Sequence, residues 1–200
     1  MKILLVGASG TLGQAVARHL GQHHEILAAG RRSGALRVDL ADDASVSALF
    51  AQTGPVDAVI STTGNVHFGP LQTMTAAQFN SGLQDKLLGQ VRLALAAQHH
   101  LNPGGSITLT TGIISAQPIR DGVNATAVNQ ALEGFVRAAA LELLPRGLRI
   151  NAVSPNVLAE SLDSYGPYFP GFEAVPAQRA ALAFQRAVEG IQSGETLTVW

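Results

Sequence analysis

A glycine-rich turn between an apolar run and an amphipathic segment constrains the fold of this chain more than any other feature. The apolar run covers residues 3–6, the turn is Gly7-Ala8-Ser9-Gly10-Thr11-Leu12-Gly13, and the amphipathic segment continues to Leu20. A strand, a tight glycine turn and a helix start form a cradle for a dinucleotide pyrophosphate, because the backbone comes close and the helix N-terminus presents free N–H groups. The spacing G-x-x-G-x-x-G differs from the general G-x-G-x-x-G, and such turns also serve plain packing. The position after a first strand favours dinucleotide binding.

Strand-like and helix-like segments alternate along the whole chain. The apolar, strand-like runs cover residues 3–6, 25–29, 36–38, 56–61, 106–110, 149–153 and 196–199. The helical patterns cover residues 12–20, 43–52, 76–99, 125–144 and 177–190. Alternating segments with buried strands predict an α/β fold, in which helices cover both faces of a parallel sheet.

Length, charge and cysteine content narrow the classes of protein to which the chain can belong. Two hundred residues, of which 46% are hydrophobic, predict one domain over residues 1–200. The net charge is −1 and the 13 Lys and Arg are scattered, so neither nucleic acid nor a membrane is an expected partner. The absence of Cys excludes disulfides and Cys-ligated metals, and it fits a cytoplasmic location. No spacing of His, Asp and Glu predicts a metal site.

Two arginines follow the second predicted strand, which ends at Gly30-Arg31-Arg32. In a dinucleotide site this strand end faces the adenosine ribose, where an acidic residue would bind the 2′-hydroxyl of NAD. The acid is absent, and guanidinium groups bind a 2′-phosphate with charge-assisted hydrogen bonds. One such bond contributes ~1.5–3 kcal/mol, so a single Arg can favour NADP(H) roughly ten- to hundredfold. The alternative is a solvated basic turn.

The two longest predicted helices are rich in small residues. One carries Leu83, Leu87, Val91 and Leu95 at a spacing of four, and the other carries Ala127, Ala131, Phe135 and Ala138. These stripes are expected to face the sheet. Gly89, Ala94, Gly134 and Ala139 are expected to leave a second face flat. Such a face can pack against a symmetric copy, so we expect a homodimer or homotetramer through these helices.

The order of these motifs resembles that of the short-chain dehydrogenase/reductase family over nearly the whole chain. The matching motifs are the turn of residues 7–13, Arg31, Asp39-Leu40, Thr62-Thr63-Gly64, Gly105-Ser106-Ile107 and residues 149–155. The resemblance implies a single doubly wound Rossmann-type domain with a seven-stranded parallel sheet in the order 3-2-1-4-5-6-7. It implies that Asp39 and Leu40 hold the adenine, that residues 62–64 line the cofactor and that residues 155–157 meet the nicotinamide. Most such proteins transfer a hydride between NAD(P)H and an alcohol or carbonyl compound.

The chain departs from the family at all four positions of the usual Asn, Ser, Tyr and Lys set. Alignment places Lys86 at the Asn position, Gly112 at the Ser position, Ala125 at the Tyr position and Asn129 at the Lys position. Lys and Asn therefore exchange places on two helices that lie side by side in the family fold. We hypothesise that Lys86 reaches the nicotinamide ribose and that Asn129 supports it. The alternative is that Lys86 is an ordinary surface lysine.

The exchange leaves the proton donor open, because Ala125 has no phenol. Losing a general acid typically costs ~10²–10⁴-fold in rate, so slow reduction remains chemically accessible. Residues 165–176 are rich in Pro and Gly and are a candidate lid over the site. Besides a bound water, the candidate donors are Lys86, Thr111, Ser115, His67, Tyr165 and Tyr168.

The sequence predicts an NADP(H)-dependent oxidoreductase that acts on a small carbonyl compound or alcohol, with Lys86, Thr111 and Asn129 as its catalytic residues. One alternative is a catalytically inactive NADP(H)-binding sensor or regulatory protein, and a further one is a structural oligomer that binds no ligand. The predicted cofactor-binding residues are Gly7, Ser9, Gly10, Thr11, Leu12, Gly13, Arg31, Arg32, Asp39, Leu40, Thr62, Thr63, Gly64, Lys86, Asn129, Pro155 and Val157.

Overall fold

Seven parallel strands form one sheet in the computed structural model, which describes residues 1–200. The strands are β1 (Lys2–Val6), β2 (Glu25–Gly30), β3 (Leu36–Arg37), β4 (Val56–Ser61), β5 (Leu101–Thr110), β6 (Arg149–Pro155) and β7 (Thr196–Val199). Their order across the sheet is β3-β2-β1-β4-β5-β6-β7, which confirms the predicted topology. The order reverses between β1 and β4, and this reversal opens a crevice at the carboxyl ends of the strands.

Seven helices connect the strands. They are α1 (Thr11–Leu20), α2 (Asp43–Thr53), α3 (Ala76–Gly82), α4 (Gly89–Ala97), α5 (Val123–Leu143), α6 (Leu162–Tyr165) and α7 (Ala177–Glu189). The π-helical segment Leu83–Leu88 joins α3 to α4. The Thr75 hydroxyl and the Gln78 side chain form a capping box at the start of α3, which satisfies free N–H groups there. None of the seven helices combines the length and the apolar character needed to cross a bilayer.

Alternating side chains of the strands build a core on each face of the sheet. On β1, Ile3 and Leu5 pack with α1 and α7, whereas Leu4 and Val6 pack with α2, α4 and α5. This alternation follows from the two-residue period of a strand, and both faces are apolar because helices cover both. Both cores lie below the carboxyl edge of the sheet, so the loops at that edge remain available to bind a ligand.

The predicted sheet-facing stripe on the first long helix is wrong at Leu95, whereas Leu87 and Val91 pack against the core. Leu95 is 53% exposed, whereas Leu93 and Ala97 are buried in the core. The π-helical segment explains the shift, because its wider turn changes the helical phase of every residue that follows. A regular repeat counted from Leu83 therefore points away from the sheet by the time it reaches Leu95.

The predicted stripe on α5 and the predicted flat face also need correction. Ala131 and Ala138 are exposed, and the buried stripe is instead Val128, Leu132 and Val136. The helix is apolar on several sides, so the larger side chains occupy the core, where they bury more area. The small residues expected on the flat face divide between two environments. Gly89 and Ala94 are buried, whereas Gly134 and Ala139 are half-buried.

Candidate functional site

A groove of about 550 Å³ runs along the carboxyl edge of the sheet, over the ends of β1, β2 and β4. Ten of the predicted cofactor residues line this groove, namely Gly7, Ser9, Gly10, Arg31, Arg32, Asp39, Leu40, Thr62, Thr63 and Gly64. The predicted residues Thr11, Leu12 and Gly13 do not line it. Leu12 is buried in the core with α7, and Gly13 packs against the turn. Leu12 and Gly13 can reach a ligand only through the backbone at the start of α1, whereas Thr11 is exposed.

Two glycines of the turn are closely packed, and the third, Gly10, faces open space. Gly7 has φ +92°, and a Cβ on Gly13 would lie 2.1 Å from the Gly7 carbonyl oxygen, so close backbone packing requires both glycines. A Cβ on Gly10 would meet only that same oxygen, at 3.6 Å. Gly10 is also the N-cap of α1, with no side-chain cap and no acidic residue in the first turn. Free N–H groups and open space together fit a pyrophosphate.

The adenosine end of the groove carries positive charge and hydroxyl groups. Arg31 and Arg32 are exposed there. The Ser33 hydroxyl donates to the Ser9 hydroxyl at 2.6 Å, and both side chains line the groove. Ser33 was not among the predicted residues, although it follows the two arginines directly. The Asp39 carboxylate accepts a hydrogen bond from the Ala41 N–H at 3.0 Å, so it also shapes its own loop.

A second cavity of about 200 Å³ adjoins the groove, because Gly64 and Asn65 line both. It brings together the remaining predicted residues Lys86, Thr111, Asn129, Pro155 and Val157. Asn156, which falls within the range 155–157 expected to meet the nicotinamide, lines it too. The indole of Trp200 donates to the Ser154 carbonyl oxygen at 3.1 Å and so supports β6 just before Pro155.

Lys86 lies on the π-helical segment, a form that often occurs at functional sites. Its Nζ donates to the Thr111 carbonyl oxygen at 3.5 Å, and a Cβ on Gly64 would lie only 2.6 Å from the Lys86 side chain. Burial of the ammonium lowers its pKa to about 8, an effect that the Asp85 charge partly opposes. The Asn65 side chain donates to the Asp85 carboxylate at 2.6 Å, which ties this charge to the loop after β4.

Asn129 lines the same cavity and has an unpaired acceptor. Its side chain is 1% exposed, and its Nδ2 donates to the Ala125 carbonyl oxygen at 2.8 Å. Its Oδ1 has no hydrogen-bond partner. An unsatisfied buried acceptor is costly, so its presence in a cavity wall fits a ligand or side chain that donates to it. Lys86 and Asn129 line one cavity, and the hypothesis that Lys86 reaches the nicotinamide ribose with support from Asn129 stays a prediction.

Gln90 is a positioning residue that sequence reasoning missed. Its side chain is fully buried, with Nε2 donating to the Thr110 carbonyl oxygen at 2.9 Å and Oε1 accepting from the Thr110 N–H at 2.8 Å. The pair fixes α4 to the end of β5, one turn after Lys86. The signal available in the sequence was a polar glutamine in a helical segment that consists mostly of small and apolar residues.

The surroundings of Ala125, which the sequence prediction aligns with the family Tyr, are apolar in this structure. Ala125 is fully buried in a small cluster with Ile113 and Ile114, against which Phe68 and Phe169 pack. This cluster is separate from the two cores of the sheet.

The other candidate proton donors separate into two groups. His67 and Ser115 line neither cavity, and the Ser115 hydroxyl donates to the Glu133 carboxylate at 2.6 Å. Tyr165 lines the second cavity, and Tyr168 stacks on Phe68 with ring centroids 4.7 Å apart. Of residues 165–176, Tyr165 and Phe169 line the second cavity, and the lid interpretation stays a prediction.

Comparisons with known proteins give a consistent assignment. A family model described as enoyl-(acyl carrier protein) reductase matches residues 7–193. The chain is 28% identical to hydroxynaphthalene reductase arp2 of Aspergillus fumigatus over 134 residues, which is 65% of this chain and 49% of that protein, so it spans about half that relative's length. The solved structure of protein lin1944 from Listeria innocua is 46% identical, with a TM-score of 0.97 and 100% of both chains covered. A small-chain dehydrogenase solved in complex with NADPH is 26% identical, with a TM-score of 0.88, and the match covers 100% of this chain and 96% of that one.

Proposed function

This chain belongs to the short-chain dehydrogenase/reductase family, and on that premise we propose that it is an NADP(H)-dependent oxidoreductase acting on a small carbonyl compound or alcohol. The observation that carries the proposal is the junction of the two cavities at Gly64 and Asn65. A ligand that begins beside Arg31 and passes the start of α1 can continue along this path to Lys86. An extended dinucleotide with a reactive ring at one end matches this path.

The residues of the groove suit the parts of NADP(H) in order. The start of α1 would hold the pyrophosphate, and Arg31 and Arg32 would hold the 2′-phosphate, with the Ser9 and Ser33 hydroxyls as further donors. NADPH held in this way would supply the hydride for a carbonyl carbon, and one proton added to the carbonyl oxygen would complete an alcohol and NADP⁺. The chain has to position the substrate and deliver that proton.

Lys86 is the residue to which we assign the proton. Its Nζ is the one cationic group in the second cavity, and a pKa of about 8 allows it to give and take a proton near neutral pH. In the same position the ammonium would donate to a ribose hydroxyl. Asn129 Oδ1 would accept from that hydroxyl or from Nζ, which would satisfy the unpaired acceptor. Thr111 would hold the strand end against which Nζ rests.

One observation favours the second candidate function, an NADP(H)-binding sensor without turnover. The apolar cluster around Ala125 leaves no ionisable group at the position of the usual general acid. If Lys86 only holds the ribose, the protein would bind NADPH and release it unchanged. The two functions share the cofactor site and differ in the role of a single ammonium group.

Turnover of NADPH separates the two functions. We would incubate the protein with NADPH and a panel of ketones, aldehydes and quinones, and follow the nicotinamide absorbance. An enzyme should oxidise NADPH well above background, and Lys86→Met should lower the rate ~10²-fold or more if Nζ delivers the proton. Lys2→Met is the matched control, because Lys2 is the other lysine of the chain and lines neither cavity. Tight binding of NADPH with no oxidation across the panel would favour the sensor.

Cofactor choice has its own test. Calorimetric titrations of NADPH and NADH against the wild type should show a preference for NADPH, and replacement of Arg31 and Arg32 by Ala should reduce it roughly ten- to hundredfold. NADH affinity should change little, because NADH has no phosphate at this position. Equal affinity of the wild type for both cofactors would refute the assignment of the two arginines.

A further inference from the structure

Aromatic side chains from two separate loops meet at the second cavity. Phe68 comes from the loop after β4, and Tyr165 and Phe169 come from the segment after β6. The Phe68 and Tyr165 rings lie 5.8 Å apart at an interplanar angle of 60°, and Tyr168 stacks on Phe68 from outside the cavity wall. The rings therefore support one another and form a continuous apolar surface across two loops.

The cavity wall offers almost no charge to a substrate. Of its 17 lining residues, Lys86 alone is ionised at neutral pH. In the proposed function that ammonium serves the ribose and the carbonyl oxygen. A carboxylate or ammonium elsewhere on a substrate would then lose its hydration without a partner, which is unfavourable. The wall selects against substrates that carry their own charge.

The size of the cavity limits the substrate further. Its volume is about 200 Å³, below the roughly 300–1,000 Å³ typical of sites for larger ligands, and the nicotinamide shares this space. One planar ring fits between a nicotinamide and the aromatic wall better than a branched or polycyclic skeleton. Aromatic rings also prefer the tilted and offset contacts that Phe68 and Tyr165 present.

We propose that the preferred substrate is a neutral aryl aldehyde or aryl ketone with a single ring. This inference rests on the proposed function, since it names the substrate class of the same site. In the reaction the carbonyl carbon gains a hydride, the oxygen gains a proton, the C=O π bond is lost, and NADPH becomes NADP⁺. Phe68 and Tyr165 are the specificity-determining residues, and they act on the ring of the substrate rather than on its carbonyl group.

The first test compares matched substrates and needs no variant. NADPH oxidation should give a kcat/KM for benzaldehyde at least tenfold above cyclohexanecarbaldehyde and at least a hundredfold above 4-carboxybenzaldehyde. A calorimetric titration of the NADPH-loaded protein supplies a readout without turnover, because an alcohol and a reduced cofactor cannot react; benzyl alcohol should bind and benzoate should not. A preference for the carboxylate, or equal values across the series, would overturn the proposal.

The second test uses variants of the aromatic wall. Phe68→Ala and Tyr165→Ala should each lower the ratio of kcat/KM for benzaldehyde over cyclohexanecarbaldehyde at least fivefold, whereas Tyr165→Phe should keep that ratio. Loss of the ratio in Tyr165→Phe would assign the effect to the phenol rather than to the ring and would contradict the proposal. Leu182→Ala is the control, because this leucine is 53% exposed on α7 and lines neither cavity.

Different results would refute the proposed enzymatic function and the proposed substrate class. If benzyl alcohol binds and no aldehyde is reduced, the proposed enzymatic function fails and the ring site stands. If aliphatic or charged carbonyl compounds are reduced as well as benzaldehyde, the function stands and the assigned substrate class is wrong. If neither ring binding nor reduction occurs although NADPH binds, the ring site is refuted directly.

Discussion

Lys86 is one of only two lysines in the chain, and its surroundings make its charge sensitive to pH. Burial lowers its pKa from 10.5 to about 8, so without cofactor the folded protein binds this proton less tightly than the unfolded chain does. The resulting penalty on the folded state is fully present below pH 8. It disappears as the pH rises from about 8 to 10.5, where the unfolded chain also loses the proton.

The expected outcome is a pH-dependent gain of stability on removing this charge. Lys86→Met should raise the free energy of unfolding at pH 7 by on the order of 1–3 kcal/mol, and the gain should shrink by pH 10. Urea unfolding of the wild type, Lys86→Met and Lys2→Met at both pH values measures it. A gain of the same size at pH 7 and pH 10 would show that packing, not the buried charge, sets the effect.

Helix α1 begins without a side-chain cap, which leaves its first N–H groups free for a ligand but does not stabilise the helix. Its N-cap residue Gly10 has an extended backbone, φ −73° and ψ 166°, which any residue can adopt. A Gly10→Ser hydroxyl would accept from the free N–H groups and compete with a pyrophosphate for them. We expect unchanged or slightly higher stability, by a few tenths of a kcal/mol, together with at least tenfold weaker NADPH binding in calorimetry.

Gly13→Ala provides the opposite case on the same helix. Its methyl group would collide with the Gly7 carbonyl oxygen, so thermal unfolding should shift to lower temperature even without ligand.

If Gly10→Ser binds NADPH as well as the wild type does, the start of α1 is not the pyrophosphate site.

The contact between α4 and the end of β5 depends on the hydrogen bonds of the Gln90 side chain. Gln90→Leu would leave the N–H and the C=O of Thr110 buried without partners, and each such group costs ~1–3 kcal/mol. We therefore expect a loss of roughly 2–5 kcal/mol in the free energy of unfolding, measured in urea. Gln84→Leu, on the exposed side of the π-helical segment, should lose far less. Equal losses would mean that Gln90 contributes only its volume.

The sequence could predict elements better than it could predict the faces of elements. Apolar runs located all seven strands, because strands covered by helices on both faces are apolar on both sides. Glycine spacing located the turn after β1, because close backbone packing at Gly7 and Gly13 admits no other residue. The buried side of the helix that carries Lys86 could not be predicted, since the π-helical turn changes the phase without a marker in the sequence. The orphaned Asn129 acceptor and the Gln90 contact depend on residues far apart in the chain, which periodicity cannot connect.

At the scale of the whole molecule, the outer sides of α4 and α5 expose apolar side chains. Leu95 and Ala138 are exposed there, beside a shallow hollow of about 250 Å³ lined mostly by apolar side chains. An exposed apolar surface on paired helices favours association with a second copy. A homodimer or homotetramer through these helices stays a prediction, and the surface it would use is more apolar than the flat face expected from small residues.

Sedimentation velocity at micromolar concentration tests this prediction. The wild type should sediment as a dimer or tetramer, and Leu95→Arg should shift it toward a monomer, because an arginine at this contact would bury an unpaired charge. Leu182→Arg, on α7, is the matched control and should leave a contact through α4 and α5 intact. A monomeric wild type would refute the assembly.

The hydrogen bond from the Trp200 indole to the end of β6 has a practical consequence. Trp200 is the single tryptophan of the chain, and it is anchored one residue before Pro155, which lines the second cavity. Indole emission overlaps the absorption band of a dihydronicotinamide. Excitation of this one residue should therefore sensitise the fluorescence of docked NADPH, so the protein carries its own optical probe for the site and needs no added dye.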